Sequence, residues 1–237
     1  MHTMRGAVNQ NRNQQIRRNG EFFNKLSPEA LSDLETLEFP TPYQPGVVLF
    51  TEKQRIQGVY IVHSGEVKLS MNSADGKRLI VHIARAGDVL GLSSAVTGGP
   101  SEMTAETLHP ARIAVIERQT FLAFLTRHPE VYQVLTEELS QRLNMAFEQL
   151  RTVGLSASAP EKLARLLLEW SERGQTTDQG TRFLFPLTHE EIGEFIGTSR
   201  ETVTRTMSTF KHRRLVACHG ATLTIPSRVA LQSFARC

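Results

Sequence analysis

The sequence of 237 residues contains only two cysteines, Cys218 and Cys237. Two thiols cannot build a disulfide framework, a cysteine-rich zinc site or an all-cysteine iron–sulfur ligand set, so a reduced, cytoplasmic setting is the expectation. Long apolar runs are missing too. No stretch approaches the ~20 apolar residues of a membrane-spanning helix, and the first residues lack the apolar core of a secretory signal. The expected protein is soluble, stays inside the cell and has no membrane partner. Neither a Gly-x-Ser-x-Gly elbow, a phosphate-binding P-loop nor a His-Glu-x-x-His pair occurs, so no enzyme, no catalytic residue and no metal site is expected. Finally, residues 1–20 contain no acid. They hold Arg5, Arg12, Arg17 and Arg18 among Asn and Gln with hardly a large apolar side chain, a composition that predicts a disordered tail.

What is present is an ordinary globular mixture, 40% hydrophobic and 22% charged, long enough for one or two domains with real cores. The net charge of +3 is unevenly spread. Residues 199–237 carry seven Lys and Arg against the single acid Glu201, so the chain between the two basic ends is acidic. A basic end on an acidic body suits a polyanionic partner, because Lys and Arg that neutralise phosphates release condensed counterions.

Along the chain, Ser27 can cap a short helix with Pro28 in its first turn and Leu31, Leu34 and Leu37 at helical spacing; Pro40, Pro42 and Pro45 end it. Over residues 46–116 the pattern changes to short β-rich runs: Val47-Val48-Leu49-Phe50, Gly58-Val59-Tyr60-Ile61-Val62, Val67-Lys68-Leu69-Ser70, Leu79-Ile80-Val81-His82-Ile83 and residues 111–116. Turns at Ser64-Gly65, Asp75-Gly76 and Ala86-Gly87-Asp88 separate them. Even spacing of this kind predicts a small antiparallel sandwich or barrel. Beyond Pro129 a long helix is expected, with Leu139, Leu143, Ala146, Leu150 and Val153 at alternating steps of four and three, the seam of a coiled coil. Such a stripe needs a partner. Its own β domain could serve, but the narrow seam and the polar Gln141, Arg142, Asn144, Glu148, Gln149 and Arg151 favour a second copy of the chain.

Residues 154–159 read as a hinge, followed by a helix over 161–173 that buries Leu163, Leu166, Leu167 and Trp170, then a polar loop to Gly180. Thr188 and Glu191 have the spacing of a capping box, so a helix starts there; it carries Ile192, Phe195 and Ile196 on one face and stops at Gly197. Ser199 can cap a second helix over 200–211, with Val203, Met207 and Phe210 inward. Helix, short turn with glycine, helix is the helix-turn-helix pattern. With that core face set, Arg200, Glu201, Thr204 and Arg205 lie outward near the start of the second helix, where base edges are read: Arg donates two bonds to guanine, and Glu accepts from cytosine. Thr188, His189, Ser199 and Thr202, at the two helix starts, are the candidate phosphate contacts. Short apolar runs at Arg214-Leu215-Val216-Ala217 and Leu223-Thr224-Ile225 around a His219-Gly220 turn complete a winged helix-turn-helix.

The run Thr188-His-Glu-Glu-Ile-Gly-Glu-Phe-Ile-Gly-Thr-Ser-Arg-Glu-Thr-Val-Thr-Arg205 resembles the DNA-binding signature of the Crp/Fnr transcription regulators. Gly58-Val-Tyr-Ile-Val-His-Ser-Gly-Glu-Val-Lys-Leu69 and Ala86-Gly-Asp-Val-Leu-Gly91 resemble the family's cyclic-nucleotide-binding β-roll, and the likeness extends over residues 22–225. It implies an α+β chain: a tail over 1–20, an antiparallel β-roll effector domain over 21–128, a dimerisation helix over 129–153 and a winged helix-turn-helix domain over 154–237. It also implies duplex DNA, a second copy and RNA polymerase as partners. By that resemblance the half-site is like TGTGA, with Arg200 and Arg205 on guanines and Glu201 on a cytosine of the opposite strand.

The effector end departs from the pattern. Members that bind cyclic AMP hold its ribose with a Glu after the β-roll glycine and its phosphate with an Arg-Ser pair further on. Here Leu92 follows Gly91, no Arg occurs in residues 90–110, and the expected Arg-Ser region reads Ser101-Glu102-Met103-Thr104. A carboxylate beside a buried cyclic phosphate is unfavourable, so cyclic AMP is not the expected ligand. The effector pocket, if used, is expected at Leu92, Ser93, Ser94, Glu102 and Thr104. The oxygen-sensing branch holds an iron–sulfur cluster with N-terminal cysteines, and this chain has none before Cys218. Haem stays open through His63, His82 and His109, leaving the cofactor unknown. A second class of function, a ligand-binding sensory module acting through protein contacts, is the alternative.

Overall fold

A computed structural model describes residues 20–154 and 158–235; all but the last residue of the expected tail over 1–20, the middle of the expected hinge, and residues 236–237 lie outside the described residues. The chain divides into two compact units, one comprising residues 20–71 and 81–145, the other residues 72–80 and 146–235.

The first unit opens with α1 (Glu21–Asn24) and α2 (Pro28–Thr36). Ser27 caps α2 by accepting from the Ala30 N–H at 3.2 Å, with Pro28 in the first turn, as the sequence predicts. Eight strands follow: β1 (Thr41–Tyr43), β2 (Val48–Phe50), β3 (Gly58–Ser64), β4 (Val67–Asn72), β5 (Arg78–Ala84), β6 (Val89–Leu90), β7 (Thr104–Thr107) and β8 (Ala111–Glu117), with α3 (Leu92–Thr97) between β6 and β7. They form two four-stranded sheets, ordered β1-β8-β3-β6 and β2-β7-β4-β5. The β1–β8, β3–β8, β3–β6, β2–β7 and β4–β7 pairings are antiparallel.

Alternation along β3 explains the layering. Tyr60 and Val62 join Phe50, Val67, Leu69 and Ala105 between the sheets. Val59 and Ile61, on the opposite face, join Phe22, Leu34, Leu92, Phe121, Phe124 and Leu125 of the surrounding helices. Both faces being covered, β3 is apolar at nearly every position rather than alternating with polar residues. Helix α4 (Arg118–Arg127) follows β8 directly, and α5 (Val131–Gly154) is the long helix expected beyond Pro129.

The second unit holds α6 (Ala159–Ser171), which buries Leu163, Leu166, Leu167 and Trp170. The segment expected to be a polar loop up to Gly180 is instead a hairpin, β9 (Gln175–Thr177) and β10 (Gly180–Leu184). It is recruited into a sheet because β10 pairs with β12 (Thr222–Ile225), giving the order β11-β12-β10-β9 with β11 (Ala217–His219). One face of this sheet meets α6, where Phe185, just beyond β10, packs edge-on against Trp170 at 4.8 Å. Between the strand pairs lie α7 (His189–Ile196) and α8 (Arg200–His212), and the unit closes with α9 (Arg228–Ala235), whose Phe234 meets Phe210 at 5.5 Å. Among the described residues no helix is long and apolar enough to cross a membrane.

Candidate nucleic-acid interface

The geometry of α7 and α8 follows from short-range sequence signals. Thr188 accepts from the Glu191 N–H at 3.2 Å while the Glu191 carboxylate accepts from the Thr188 N–H at 3.0 Å, a closed capping box at the start of α7. The helix ends at Gly197, whose φ of 65° is a left-handed conformation that glycine adopts without strain. Gly193 has a different reason to be glycine: a Cβ there would stand 2.7 Å from the Thr198 carbonyl oxygen, so the turn approaches the middle of α7 too closely for any side chain. Ser199 then caps α8, accepting from the Thr202 N–H at 3.3 Å. Val203, Thr206, Met207 and Phe210 are buried, which turns Arg200, Glu201, Thr204 and Arg205 outward; all four are exposed.

The expected phosphate contacts are brought to the same two helix starts, and most are linked to the reading face by hydrogen bonds. The Ser199 and Thr202 hydroxyls stand 3.1 Å apart, and Arg205 Nη2 donates weakly to Thr202 at 3.4 Å. His189 Nδ1 lies 2.9 Å from Thr204 Oγ1, a link that sequence periodicity gave no means of anticipating because it joins two helices. Burial lowers the His189 pKa from its ordinary value, and the Lys211 and Arg200 charges lower it further. Glu201 is also held below the usual carboxylate range, first by its own backbone N–H, then by the Ser199 hydroxyl and the Arg200 charge. The helix start therefore displays two guanidiniums and one ionised carboxylate, with the positive end of the helix dipole behind them.

The long helix divides the expected seam. Leu139 packs against the core of its own unit, and Ala146 and Val153 are half-buried, whereas Leu143 and Leu150 are 55% and 69% exposed. Phe147, left out of the expected seam, is 53% exposed and extends the free stripe at 143, 147 and 150, a four-then-three spacing that was present in the sequence.

The five expected effector residues are placed differently from one another. Leu92 is wholly buried in the core, Ser94 Oγ donates to the Pro100 carbonyl, and Thr104 Oγ1 accepts from the Glu52 N–H. Only Ser93 and Glu102 meet through their side chains, the serine hydroxyl donating to the carboxylate at 2.9 Å. Two nearby guanidiniums are engaged: Arg118 Nε donates to the Ala95 carbonyl, and Arg142 donates to the Val89 carbonyl and to Glu138. Each candidate haem ligand has its Nε2 beside a carboxylate, His63 at 2.7 Å from Glu38 and His82 and His109 at 3.5 Å from Asp88 and Glu66. Among the described residues no three His, Cys, Asp or Glu side chains stand together as metal ligands.

Comparison with known proteins agrees with this architecture. Residues 40–128 match the cyclic nucleotide-binding domain and residues 161–234 the Crp-like helix-turn-helix domain. The chain belongs to the Crp/Fnr family. Among its relatives, the CRP-like cAMP-activated global transcriptional regulator of Mycobacterium tuberculosis is 28% identical over 91% of this chain and 96% of that protein. The nitrogen fixation regulation protein FixK of Bradyrhizobium diazoefficiens is 27% identical over 86% of each chain. The structure of FixK2 from Bradyrhizobium japonicum superposes with a TM-score of 0.75 at 22% identity, covering 84% of this chain and 98% of that one, a likeness of fold. Transcription regulation and helix-turn-helix DNA binding are thus the common ground of the Crp/Fnr relatives, which are regulators rather than enzymes.

Proposed function

We propose that the protein is a homodimeric transcription regulator that reads a two-fold symmetric DNA site with α8. The observation that carries this reading is the exposed trio Arg200, Glu201 and Arg205 on the first turns of a helix whose other face is buried. Arg200 and Arg205 donate to guanines, and Glu201 accepts from a cytosine of the opposite strand, with Thr204 among them on the same face. Thr188, His189, Ser199 and Thr202 fix the register against phosphates. The half-site is TGTGA-like. Residues 21–128 form the effector domain, 129–153 the dimerisation helix and 154–237 the DNA-binding domain.

A second copy is supported by the apolar stripe of Leu143, Phe147 and Leu150. Two copies related by a two-fold axis place their α8 helices in successive major grooves, ~34 Å apart. RNA polymerase is the further partner of a regulator of this kind. The protein works in the cytoplasm.

The effector of this protein is not cyclic AMP. The site offers the Glu102 carboxylate, held by Ser93, where a cyclic phosphate needs a cation, and Arg118 and Arg142 are committed to carbonyls. Haem gains no specific support either, since the Nε2 atoms of His63, His82 and His109 each lie beside a carboxylate that competes for the ring.

The test is selection from a random-sequence duplex pool, followed by mobility shifts on the selected and a scrambled duplex at stated salt. The expected result is a palindrome bound at least 10³-fold more tightly than the scrambled duplex by a dimer. A monomer, or equal affinity for both duplexes, overturns the proposal.

A further inference from the structure

The bond between His189 and Thr204 determines which part of Thr204 the outside world meets. A threonine hydroxyl has one proton to give and two lone pairs with which to accept. Thr204 Oγ1 gives its proton to the carbonyl of Arg200, one turn earlier on α8, at 2.9 Å. The contact with His189 at 2.9 Å must therefore run the other way, the imidazole donating from Nδ1. The protonated imidazole makes this donation, and the neutral ring makes it in its Nδ1–H tautomer. Threonine in a helix ordinarily divides between two χ1 rotamers, because its hydroxyl can bond to more than one carbonyl of the preceding turn. A donor fixed on a different helix selects one of them. With its oxygen held by two bonds and its residue exposed, Thr204 has no proton left to donate to a base; it keeps one lone pair and its γ-methyl for a partner.

We infer that Thr204 is a specificity-determining residue that sets its γ-methyl against the 5-methyl group of a thymine, and that His189 is the positioning residue that holds it there. This rests on the reading of α8 as the base-reading helix. Thr204 follows Arg200 by four residues on the same face, so the thymine belongs within a step or two of the base pair that Arg200 reads. The attraction is apolar contact and exclusion of water, with no hydrogen bond from the hydroxyl.

The 5-methyl group is all that distinguishes thymine from uracil, so a uracil scan tests the inference directly. Each thymine of a half-site selected by the full-length protein is replaced in turn by uracil, and affinity is measured at constant salt. One position is expected to lose about fourfold, the worth of about one buried methyl. Thr204→Ser, which keeps the hydroxyl and its two bonds, is expected to bind thymine and uracil duplexes equally. Thr204→Val is expected to keep the preference. His189→Ala is expected to reduce it by at least half, and His189→Asn, which restores an N–H at the δ position, to recover it. The inference is overturned if no uracil substitution weakens binding, or if Thr204→Ser retains the preference. Should the wild-type protein fail to distinguish any duplex from a scrambled one, the reading of α8 falls as well; base discrimination with no thymine effect removes the Thr204 inference alone.

Discussion

The helix-turn-helix and the end of the β-roll handle polar side chains in opposite ways. On α8 the small hydroxyls are tied to their own helix or its neighbour while the long side chains of Arg200 and Arg205 remain exposed to a partner. At the end of the roll the long side chains are bonded within the unit, Glu102 at the surface and Arg118 and Arg142 half-buried. Arg118 and Arg142 bind backbone carbonyls, and the Glu102 carboxylate receives Ser93. Polar groups bonded to one another offer less to a ligand, which must first replace those bonds. One region leaves its guanidiniums exposed, while in the other they are bonded to carbonyls.

The largest effect that would break this contrast lies on α8. Arg200→Ala is expected to cost ~1–3 kcal/mol at the selected site and to relax the preference at one base pair, while thermal stability stays within about 0.5 kcal/mol because the side chain is exposed. Titrations of selected and scrambled duplexes at one salt concentration check it. Equal losses on both would make Arg200 a phosphate contact, and α8 would no longer differ in kind from any basic helix.

The same contrast explains which parts of the molecule the sequence reveals. Thr188 with Glu191, Gly197, Ser199 and the Val203-Met207-Phe210 spacing are signals contained within a turn or two, and the structure places each as expected. The strands whose two faces are both buried are equally plain as apolar runs. What escapes is set by distant partners. Gln175, Thr176 and Thr177 are polar and exposed, and they join a sheet only because β10 beside them pairs with β12 some 40 residues later. Helix α4 begins straight after β8 with no side-chain cap at Glu117, so only the Phe121, Phe124 and Leu125 spacing announces it. On α5 the periodicity gives the step of the apolar residues but not which of them its own unit covers, so Leu139 joins the seam on paper and the core in the structure. The candidate site divides the same way: the positions of Arg200, Glu201 and Arg205 are local, whereas the bonds of Thr204 to His189 and of Thr104 to Glu52 need the fold.

A smaller effect sharpens the picture of the roll as internally satisfied. The Asp88 carboxylate accepts from the Arg85 N–H at 2.8 Å across the Ala86-Gly87 turn and stands 3.5 Å from His82. Burial alone raises its pKa, but the His82 bond, the Arg85 N–H and the Arg142 charge outweigh it and hold the carboxyl below the usual value. A depressed folded value means that the charged form stabilises the fold above the ordinary aspartate pKa of about 3.9, and that this contribution disappears as pH falls through the folded value. Asp88→Ala is therefore expected to lower stability by about 1 kcal/mol at pH 7, mostly through the lost backbone acceptor since the side chain is partly exposed. The gap should narrow below about pH 4. Denaturant melts of both proteins from pH 7 to pH 3 measure it; a gap that stays constant would mean that the charge of Asp88 plays no part.

The smallest expected effect is the most decisive for the effector end. A ligand that binds the folded state at a hundred times its Kd adds about 2.7 kcal/mol of stability, a shift of a few degrees in the melting temperature. On the reading proposed above, with Glu102 bonded to Ser93 and Arg118 and Arg142 bonded to carbonyls, millimolar cyclic AMP is expected to leave the melting temperature and the DNA affinity of this protein unchanged. Calorimetric melts with and without the nucleotide settle the first, and mobility shifts the second. A stabilisation of several degrees would show that Arg118 or Arg142 exchanges its carbonyl for the phosphate on binding, and the guanidiniums of the roll would then be latched rather than unavailable to an anion.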